Sequence, residues 1–161
     1  TWATKFEGLL GLRNFRMEDE GQQTVAWANS VWVYMDLEKG RPTRPDRREI
    51  ELYGTGDHLP MEYAKRKIEM PGEWKIKEPF PVRKYHIDTN EHVNNCQYVQ
   101  MALEGLEKPV EVEKMRVEYK KSAVYGDVIY PKVAYEEDRT VVELSDENGN
   151  AYAVVELKQS L

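Results

Sequence analysis

Apolar and polar positions alternate along most of the chain, and this pattern predicts more strand than helix. The chain opens inside a strand pattern, with loose alternation at Trp2–Glu7, and Asn14–Glu18 then runs into a turn; Gly8–Leu12 predicts a bend or bulge inside this earlier strand. A turn at Asp19–Gly21 leads into one long strand, Gln22–Met35, rich in Val, Trp, Tyr and Thr. The later elements are an extended run 79–87, a helix 93–106, and strands 111–123, 127–136, 139–145 and 151–158.

The chain changes character between residues 41 and 79, where prolines alternate with charged side chains. Pro45–Tyr53 predicts a short helix, with Asp46 close to its start and Gly54 at its end. The remainder is typical of a connector. We therefore expect two packed units joined by a linker.

Two stretches of the chain share turn chemistry and the residues that follow the turn. They are Met17–Trp27 and Leu144–Val154, each centred on an Asp-Glu pair and followed by an alternating run. Such a pair predicts two equivalent hairpins, one in each unit.

Composition and charge argue against a membrane protein, a secreted protein and a nucleic-acid-binding protein. The 161 residues are 40% hydrophobic and 32% charged, and no apolar run approaches the roughly 20 residues that span a bilayer. Thr1–Lys5 has no signal-peptide pattern, so we expect a cytoplasmic protein without a membrane partner. The net charge of -6 argues against nucleic acid as a partner, because binding to phosphates needs a basic surface.

The single cysteine, Cys96, excludes an intrachain disulfide. A cysteine near a histidine invites a nucleophile interpretation. The alternative is a small buried residue on an apolar stripe that faces the sheet. That stripe would consist of Val93, Cys96, Val99 or Gln100, Leu103 and Leu106.

The densest cluster of polar side chains lies between the extended run and the long helix. It contains Asp88, Asn90, His92, Asn94 and Asn95. The first turn of a helix has unpaired N–H groups and the positive end of the dipole, which together stabilise a developing oxyanion. An aspartate can orient water or accept its proton, an asparagine can bind a substrate oxygen, and a histidine can transfer protons near neutral pH. The alternative is a helix capped by Asn90 or Asp88, with His92 only completing the first turn.

The run from Asp88 to Asn95, followed by Tyr98, resembles the Asp-x-Asn-x-His-Val-Asn-Asn signature of acyl-ACP thioesterases, which are built from hotdog domains. A looser form marks acyl-CoA thioesterases of the same superfamily. Ser30–Pro45 and Val117–Asp127 are similar to segments of the carrier-protein branch, in the same order.

The resemblance implies an α+β fold, in which an antiparallel sheet wraps around a long central helix. Members of the family are longer tandem hotdogs, and this chain resembles their C-terminal two-thirds. Residues 1–45 would be the last strands of an incomplete first hotdog, 46–78 a linker, and 79–161 a complete second hotdog with the motif. Exposed strand edges in an incomplete domain favour self-association, so a homodimer is expected.

The resemblance also implies hydrolysis of fatty acyl-ACP to free fatty acid and acyl carrier protein, at the acyl-phosphopantetheine thioester. Asn90 and the helix-start amides would bind the thioester oxygen, while Asp88 and His92 position and deprotonate water. Asn94, Asn95 and Ser122 would support them. No cofactor is expected, and no metal, because His58 and His86 lack a ligand spacing with His92. An acyl-CoA thioesterase and a non-catalytic acyl-binding hotdog remain alternatives.

One segment departs from the family pattern. Plant members carry Glu-Cys where Tyr119-Lys-Lys-Ser-Ala-Val places Ser122 and Ala123. Either Asp88 alone acts as the base through His92, or another carboxylate approaches the site. Glu118 would share a strand face with Ser122, but it lies about 13 Å from Ser122 along the predicted strand. Ser122 would orient water or be an ordinary strand serine.

Acyl carrier proteins are acidic, so a basic cluster could steer one to the site. The sequence offers Arg41–Arg48, Lys65–Lys67 and Lys120–Lys121. The alternative for each cluster is solvated surface charge.

Overall fold

The computed structural model describes residues 1–159. The chain divides into two compact units, Thr1–Ala64 and Lys65–Leu161. The dividing point lies inside the predicted linker 46–78, and each half of that segment packs onto its own unit. The last two residues of the predicted second domain, Ser160 and Leu161, lie outside the described residues.

The first unit is built on a three-stranded antiparallel sheet, β1 (Trp2–Glu7), β2 (Leu10–Glu18) and β3 (Thr24–Val33), in that order. A two-stranded ribbon follows, β4 (Met35–Asp36) with β5 (Arg41–Pro42). The prediction of a bend or bulge inside one strand at Gly8–Leu12 is wrong, because a tight turn at Gly8, where φ is 62°, separates β1 from its antiparallel partner β2, which begins at Leu10.

The short helix predicted at residues 45–53 is confirmed as α1 (Arg47–Tyr53). Asp46 caps it by accepting the Glu49 N–H at 2.8 Å, and the Glu49 carboxylate accepts the Asp46 N–H at 2.9 Å. Gly54 ends it with a φ of 62°. The reciprocal bonds satisfy two backbone donors of the first turn, which explains why so short a helix forms here.

Residues after α1 pack along the first sheet. Asn14, buried in β2, accepts the Leu59 N–H at 3.1 Å and the Tyr63 hydroxyl at 3.0 Å. The Trp2 indole donates to the Asp57 carbonyl at 2.8 Å. These bonds attach the first half of the predicted linker to its own sheet.

The second unit is a larger antiparallel sheet with a helix, α2 (Asn95–Glu104), on one face. The strand order is β6–β9–β10–β11–β8, and β7 also pairs with β9. The strands are β6 (Lys75–Ile76), β7 (Phe80–Pro81), β8 (Val112–Tyr119), β9 (Val128–Tyr135), β10 (Arg139–Ser145) and β11 (Ala151–Gln159). The helix packs against the central strands β10 and β11, the arrangement expected of a hotdog.

Successive side chains of β11 pack on opposite faces of this sheet. Val155 and Leu157 belong to the core cluster beneath α2, whereas Val154 packs with Ile68 and Trp74 on the other face. The second half of the predicted linker therefore covers the outer face of the sheet.

Polar contacts hold that covering segment in place. Arg116 of β8 donates to the Lys65 and Lys67 carbonyls at 2.5 and 3.2 Å. The buried carboxylate of Glu156 lies 3.0 Å from the Arg116 guanidinium and 2.7 Å from that of Arg139. Two guanidinium partners compensate the desolvation of this carboxylate.

Two predicted strands end at least four residues before the sequence indicated. The extended run predicted at 79–87 is interrupted: β7 ends at Pro81, and Lys84–His86 forms a 3₁₀ turn in which the His86 Nδ1 accepts the Arg83 N–H at 2.9 Å. The strand predicted at 111–123 ends at Tyr119. Beyond it, the Lys120 and Lys121 amides both bond to the Tyr152 carbonyl, which ends the ladder.

The predicted pair of equivalent hairpins is confirmed. In the first unit, the Gln23 amide donates to the Asp19 carboxylate at 2.9 Å, and the Asp19 amide donates to the Gln23 carbonyl at 3.0 Å. In the second, Asn150 and Asp146 make the same two bonds at 2.8 and 3.0 Å. Each aspartate thus closes the turn between the last two strands of its sheet.

Within residues 1–159, neither α1 nor α2 has the length and apolar character that crossing a membrane requires.

Candidate functional site

The motif residues Asp88, Asn90 and His92 lie on one short loop between the 3₁₀ turn and α2. An antiparallel bridge between Ile87 and Val93 closes the loop. Inside it, the Asp88 amide donates to the His92 carbonyl at 2.9 Å. The predicted junction therefore exists, but a 3₁₀ turn and a bridged loop precede the helix instead of a continuous strand.

The three motif side chains differ in burial and in contacts. Asp88 is half-buried, and its Oδ1 accepts the Asn90 N–H at 2.8 Å. Asn90 and His92 are exposed. Within the described residues no hydrogen bond joins the side chains of these three residues to one another. The structure thus brings them onto one loop, with Asp88 tied to the backbone and the other two facing solvent.

The cap of α2 is Asn94, so the prediction of Asn90 or Asp88 as the cap is wrong. The Asn94 side chain accepts the Cys96 N–H at 3.0 Å, and its backbone N–H donates to the His86 carbonyl at 2.9 Å. The physical reason is the Ile87–Val93 bridge, which keeps residues 88–92 out of the helix.

The cap formed by Asn94 leaves few backbone N–H groups without a partner at the start of α2. The amides of Cys96 and Gln97 both bond to Asn94. Asn95 is exposed, and its carbonyl accepts the Tyr119 hydroxyl at 3.2 Å. Among the described residues, the Asn95 N–H is the first-turn donor that has no partner, so it is the helix-start amide available to an oxyanion.

Ser122 lies in the loop after β8, not in a strand as predicted, and it is exposed. Its neighbour Ala123 is fully buried and accepts the Val93 N–H at 2.9 Å. This bond places the position at which the resemblance expects a glutamate directly beside the motif loop. Glu118 is engaged elsewhere, since its carboxylate accepts the Ile68 N–H and pairs with Lys120 at 3.1 Å.

Sequence reasoning did not predict the role of Tyr98. The Ala123 N–H donates to the Tyr98 hydroxyl at 2.8 Å, and burial raises the pKa of that phenol. Through Ala123, Tyr98 holds the position of the Val93 backbone and hence of the motif loop. The available signal was a tyrosine on a buried helix face, since a buried Tyr hydroxyl needs a polar partner.

The prediction that Cys96 lies on the buried stripe is wrong. Cys96 and Leu103 are exposed, and the buried positions of α2 are Tyr98, Met101 and Ala102. Tyr98, Met101 and Ala102 share one helical face because they are three and four residues apart, and this face is rotated by about 100° to 200° from the face that carries Cys96. The thiol approaches the Gln97 side chain at 3.9 Å, and no hydrogen bond joins it to a histidine in the described chain.

Comparison with known proteins adds to this geometry. A sequence model described as "Acyl-ACP thioesterase C-terminal domain" matches residues 70–158, which is more than half of the chain and includes the motif loop, α2 and Ser122. The chain belongs to the acyl-ACP thioesterase family.

Individual relatives agree with this assignment. The chain is 32% identical to an oleoyl-acyl carrier protein thioesterase of Coriandrum sativum, over 98% of this chain and 47% of that protein. An acyl-ACP thioesterase from Bacteroides thetaiotaomicron superposes with a TM-score of 0.83 at 19% identity, covering 98% of this chain and 65% of that one. The 12:0-ACP thioesterase from Umbellularia californica gives a TM-score of 0.78 at 16% identity, covering 98% and 65%.

These matches confirm the predicted family and the hotdog fold. The chain spans about half the length of the curated acyl-ACP thioesterase it matches. It spans about two-thirds of the solved acyl-ACP thioesterase structures.

Proposed function

We propose that this chain carries the hydrolytic site of a thioesterase that cleaves fatty acyl-ACP into free fatty acid and acyl carrier protein. The observation that carries the proposal is the loop Asp88–His92, tied through Val93 to Ala123, inside the segment that matches the family. Loop and helix start together offer the groups that thioester hydrolysis needs: a base, a carboxylate that can orient water, and donors for an oxyanion.

The proposed steps give each group of the loop a role. The exposed His92 imidazole takes a proton from water, and the resulting hydroxide adds to the thioester carbonyl carbon. The Asn90 amide and the Asn95 N–H stabilise the oxyanion. The carbon–sulfur bond then breaks, and the leaving thiolate takes the proton from His92. One Asp88 oxygen is bonded to Asn90, so its second oxygen orients the water.

Turnover of a series of acyl-ACP substrates tests the proposal, read as release of the carrier thiol. Asp88→Asn keeps an oxygen for the Asn90 N–H but removes the charge, and His92→Ala removes the base. Each should lower kcat by about 10²- to 10⁴-fold. Asp57→Asn and His58→Ala make the same chemical changes at exposed positions and should leave turnover unchanged.

Substitutions of Ser122 distinguish a hydrolase from a non-catalytic acyl-binding protein. If the site works without the glutamate that the resemblance expects, Ser122→Ala turns over acyl-ACP as the unmodified chain does. A chain that binds acyl-ACP without turnover, and gains turnover in Ser122→Glu, would instead support the non-catalytic alternative. Parallel assays with acyl-CoA separate the carrier-dependent enzyme from the acyl-CoA thioesterase alternative.

We also infer self-association through β3. This strand pairs with β2 on one edge, and within the described residues its other edge has no strand partner. Its side chains are largely exposed, Trp27 to 51%. An exposed edge of ten residues is a template for a second copy. Sedimentation velocity should detect a dimer at micromolar concentration that Trp27→Lys weakens, and a uniform monomer would contradict the inference.

A further inference from the structure

An exposed basic and aromatic surface borders the motif loop. It consists of Arg83, Lys84 and Tyr85, on and beside the 3₁₀ turn, and Tyr125, on the loop between β8 and β9; we call these four residues the docking surface. Tyr85 is 76% exposed and Tyr125 59%. The Lys84 ammonium lies 5.9 Å from the centroid of the Tyr125 ring, so the two segments meet.

Backbone hydrogen bonds attach both segments of the docking surface to the motif loop or to the residues that follow it. The 3₁₀ turn leads directly into the loop, and its His86 carbonyl accepts the Asn94 N–H at 2.9 Å. The second segment follows Ala123, which bonds to Val93. Any carrier that delivers a thioester to Asp88–His92 therefore arrives next to this surface.

The two cations of the docking surface, Arg83 and Lys84, are open to a charged partner. Within the described residues, neither Arg83 nor Lys84 forms an ion pair with a carboxylate. The neighbouring basic cluster differs, because Lys120 pairs with Glu118 at 3.1 Å and Lys121 with Asp146 at 3.0 Å. Two cations that lack an ion-pair partner beside the site, on a chain of net charge -6, are available to pair with the carboxylates of an acidic partner.

The exposed tyrosines distinguish a protein partner from a small anion. A phosphate needs cations or backbone donors and gains nothing from the exposed rings of Tyr85 and Tyr125. Protein interfaces, by contrast, are enriched in tyrosine and arginine, which bury large rigid surfaces at modest entropic cost. The combination therefore fits a folded acidic protein.

We propose that Arg83, Lys84, Tyr85 and Tyr125 are where the acidic surface of an acyl carrier protein docks, so that its acylated arm reaches the motif loop. The inference rests on the proposed function for the identity of the substrate. It adds the surface that gives the site its preference for carrier-bound thioesters.

Charge reversal tests the docking surface in the full chain. Arg83→Glu/Lys84→Glu should weaken binding of a fluorescently labelled carrier protein about tenfold at low salt and flatten its salt dependence, read by anisotropy. Arg47→Glu/Arg48→Glu, an adjacent basic pair in the exposed first turn of α1, makes the same charge change within the Arg41–Arg48 cluster. It is the matched control and should bind as the unmodified chain does, because the proposal assigns carrier binding to the docking surface and not to that cluster. Thermal unfolding of both variants checks that the fold is kept.

Kinetics with three substrates then distinguish recognition of the carrier protein from recognition of a phosphate or of the acyl-pantetheine group. With acyl-ACP, Arg83→Glu/Lys84→Glu should raise KM about tenfold at unchanged kcat. With acyl-CoA and with acyl-pantetheine, which lack the carrier, its kinetics should match those of the unmodified chain. An equal loss with acyl-ACP and acyl-CoA, but not with acyl-pantetheine, would assign the surface to phosphate and overturn the proposal.

Direct binding keeps this test independent of catalysis. If the unmodified chain binds the carrier but hydrolyses no thioester, the proposed function fails while the docking proposal is still decided by the anisotropy data. Unchanged carrier affinity in Arg83→Glu/Lys84→Glu would overturn the docking proposal, as would a matching loss in the α1 control.

Discussion

At the residue scale, side chains around the motif loop mostly bond to backbone. The Asp88 side chain accepts the backbone N–H of Asn90, and the His86 side chain accepts that of Arg83. The Asn94 side chain accepts the backbone N–H of Cys96. Each bond spans two or three residues, a range that single-sequence patterns cover. The sequence accordingly predicted a polar loop at a helix start, but the Tyr98–Ala123 bond that anchors it joins residues 25 apart and leaves no local signature.

The titration of His86 gives a pH dependence of stability. Burial is the main cause that lowers the pKa of this imidazole below its usual value of 6.5, and Arg83 adds to it while Glu104 opposes it. The folded state therefore keeps His86 neutral where the unfolded state begins to take up a proton. As the pH falls below 6.5, the unfolded state binds more protons and the free energy of unfolding decreases.

The measurement is urea unfolding of the unmodified chain and of His86→Asn between pH 7.5 and 5. Asparagine offers an oxygen to the Arg83 N–H in place of Nδ1 and does not titrate. We expect the unmodified chain to lose more stability over this interval than the variant, with His58 and His92 present in both. Parallel curves would refute a neutral buried His86.

At the element scale, the start of α2 sets the geometry of the candidate site. The helical period of residues 93–106 predicted the helix, but its first residue depends on the Ile87–Val93 bridge, a contact that helical periodicity cannot reveal. The bridge keeps residues 88–92 out of the helix, which begins at Asn95 and buries Tyr98, Met101 and Ala102. Local pattern thus predicts the element, whereas tertiary pairing sets its first residue.

Removal of the cap should weaken the second unit. Asn94→Ala loses the acceptor for the Cys96 N–H, and we expect a loss of about 0.5–2 kcal/mol in the free energy of unfolding. Asn94→Asp keeps a side-chain oxygen at the cap and a favourable charge at the helix start, so it should remain close to the unmodified chain. Urea unfolding followed by circular dichroism measures both. Equal stability of Asn94→Ala and the unmodified chain would mean that the cap contributes nothing.

At the scale of the whole molecule, burial is distributed unevenly between the two units. Among the described residues, the buried apolar side chains of the first unit are Ala3 and Leu59, and all others belong to the second. Strand alternation and the family resemblance together predicted two units of this kind. They did not predict the covering segments, because the bonds of Asn14 to Leu59 and of Arg116 to Lys65 join distant parts of the chain.

This distribution predicts which unit folds alone. The core cluster beneath α2 and the smaller cluster around Ile68 are both formed by residues of Lys65–Leu161. A fragment of residues 65–161 therefore retains its buried apolar contacts and should unfold in one cooperative thermal transition. A fragment of residues 1–64 buries too little apolar surface to offset its conformational entropy and should show no such transition. Circular dichroism melts and amide chemical-shift dispersion of the two fragments measure this, and a cooperative melt of residues 1–64 would mean that backbone pairing stabilises the first sheet without a core.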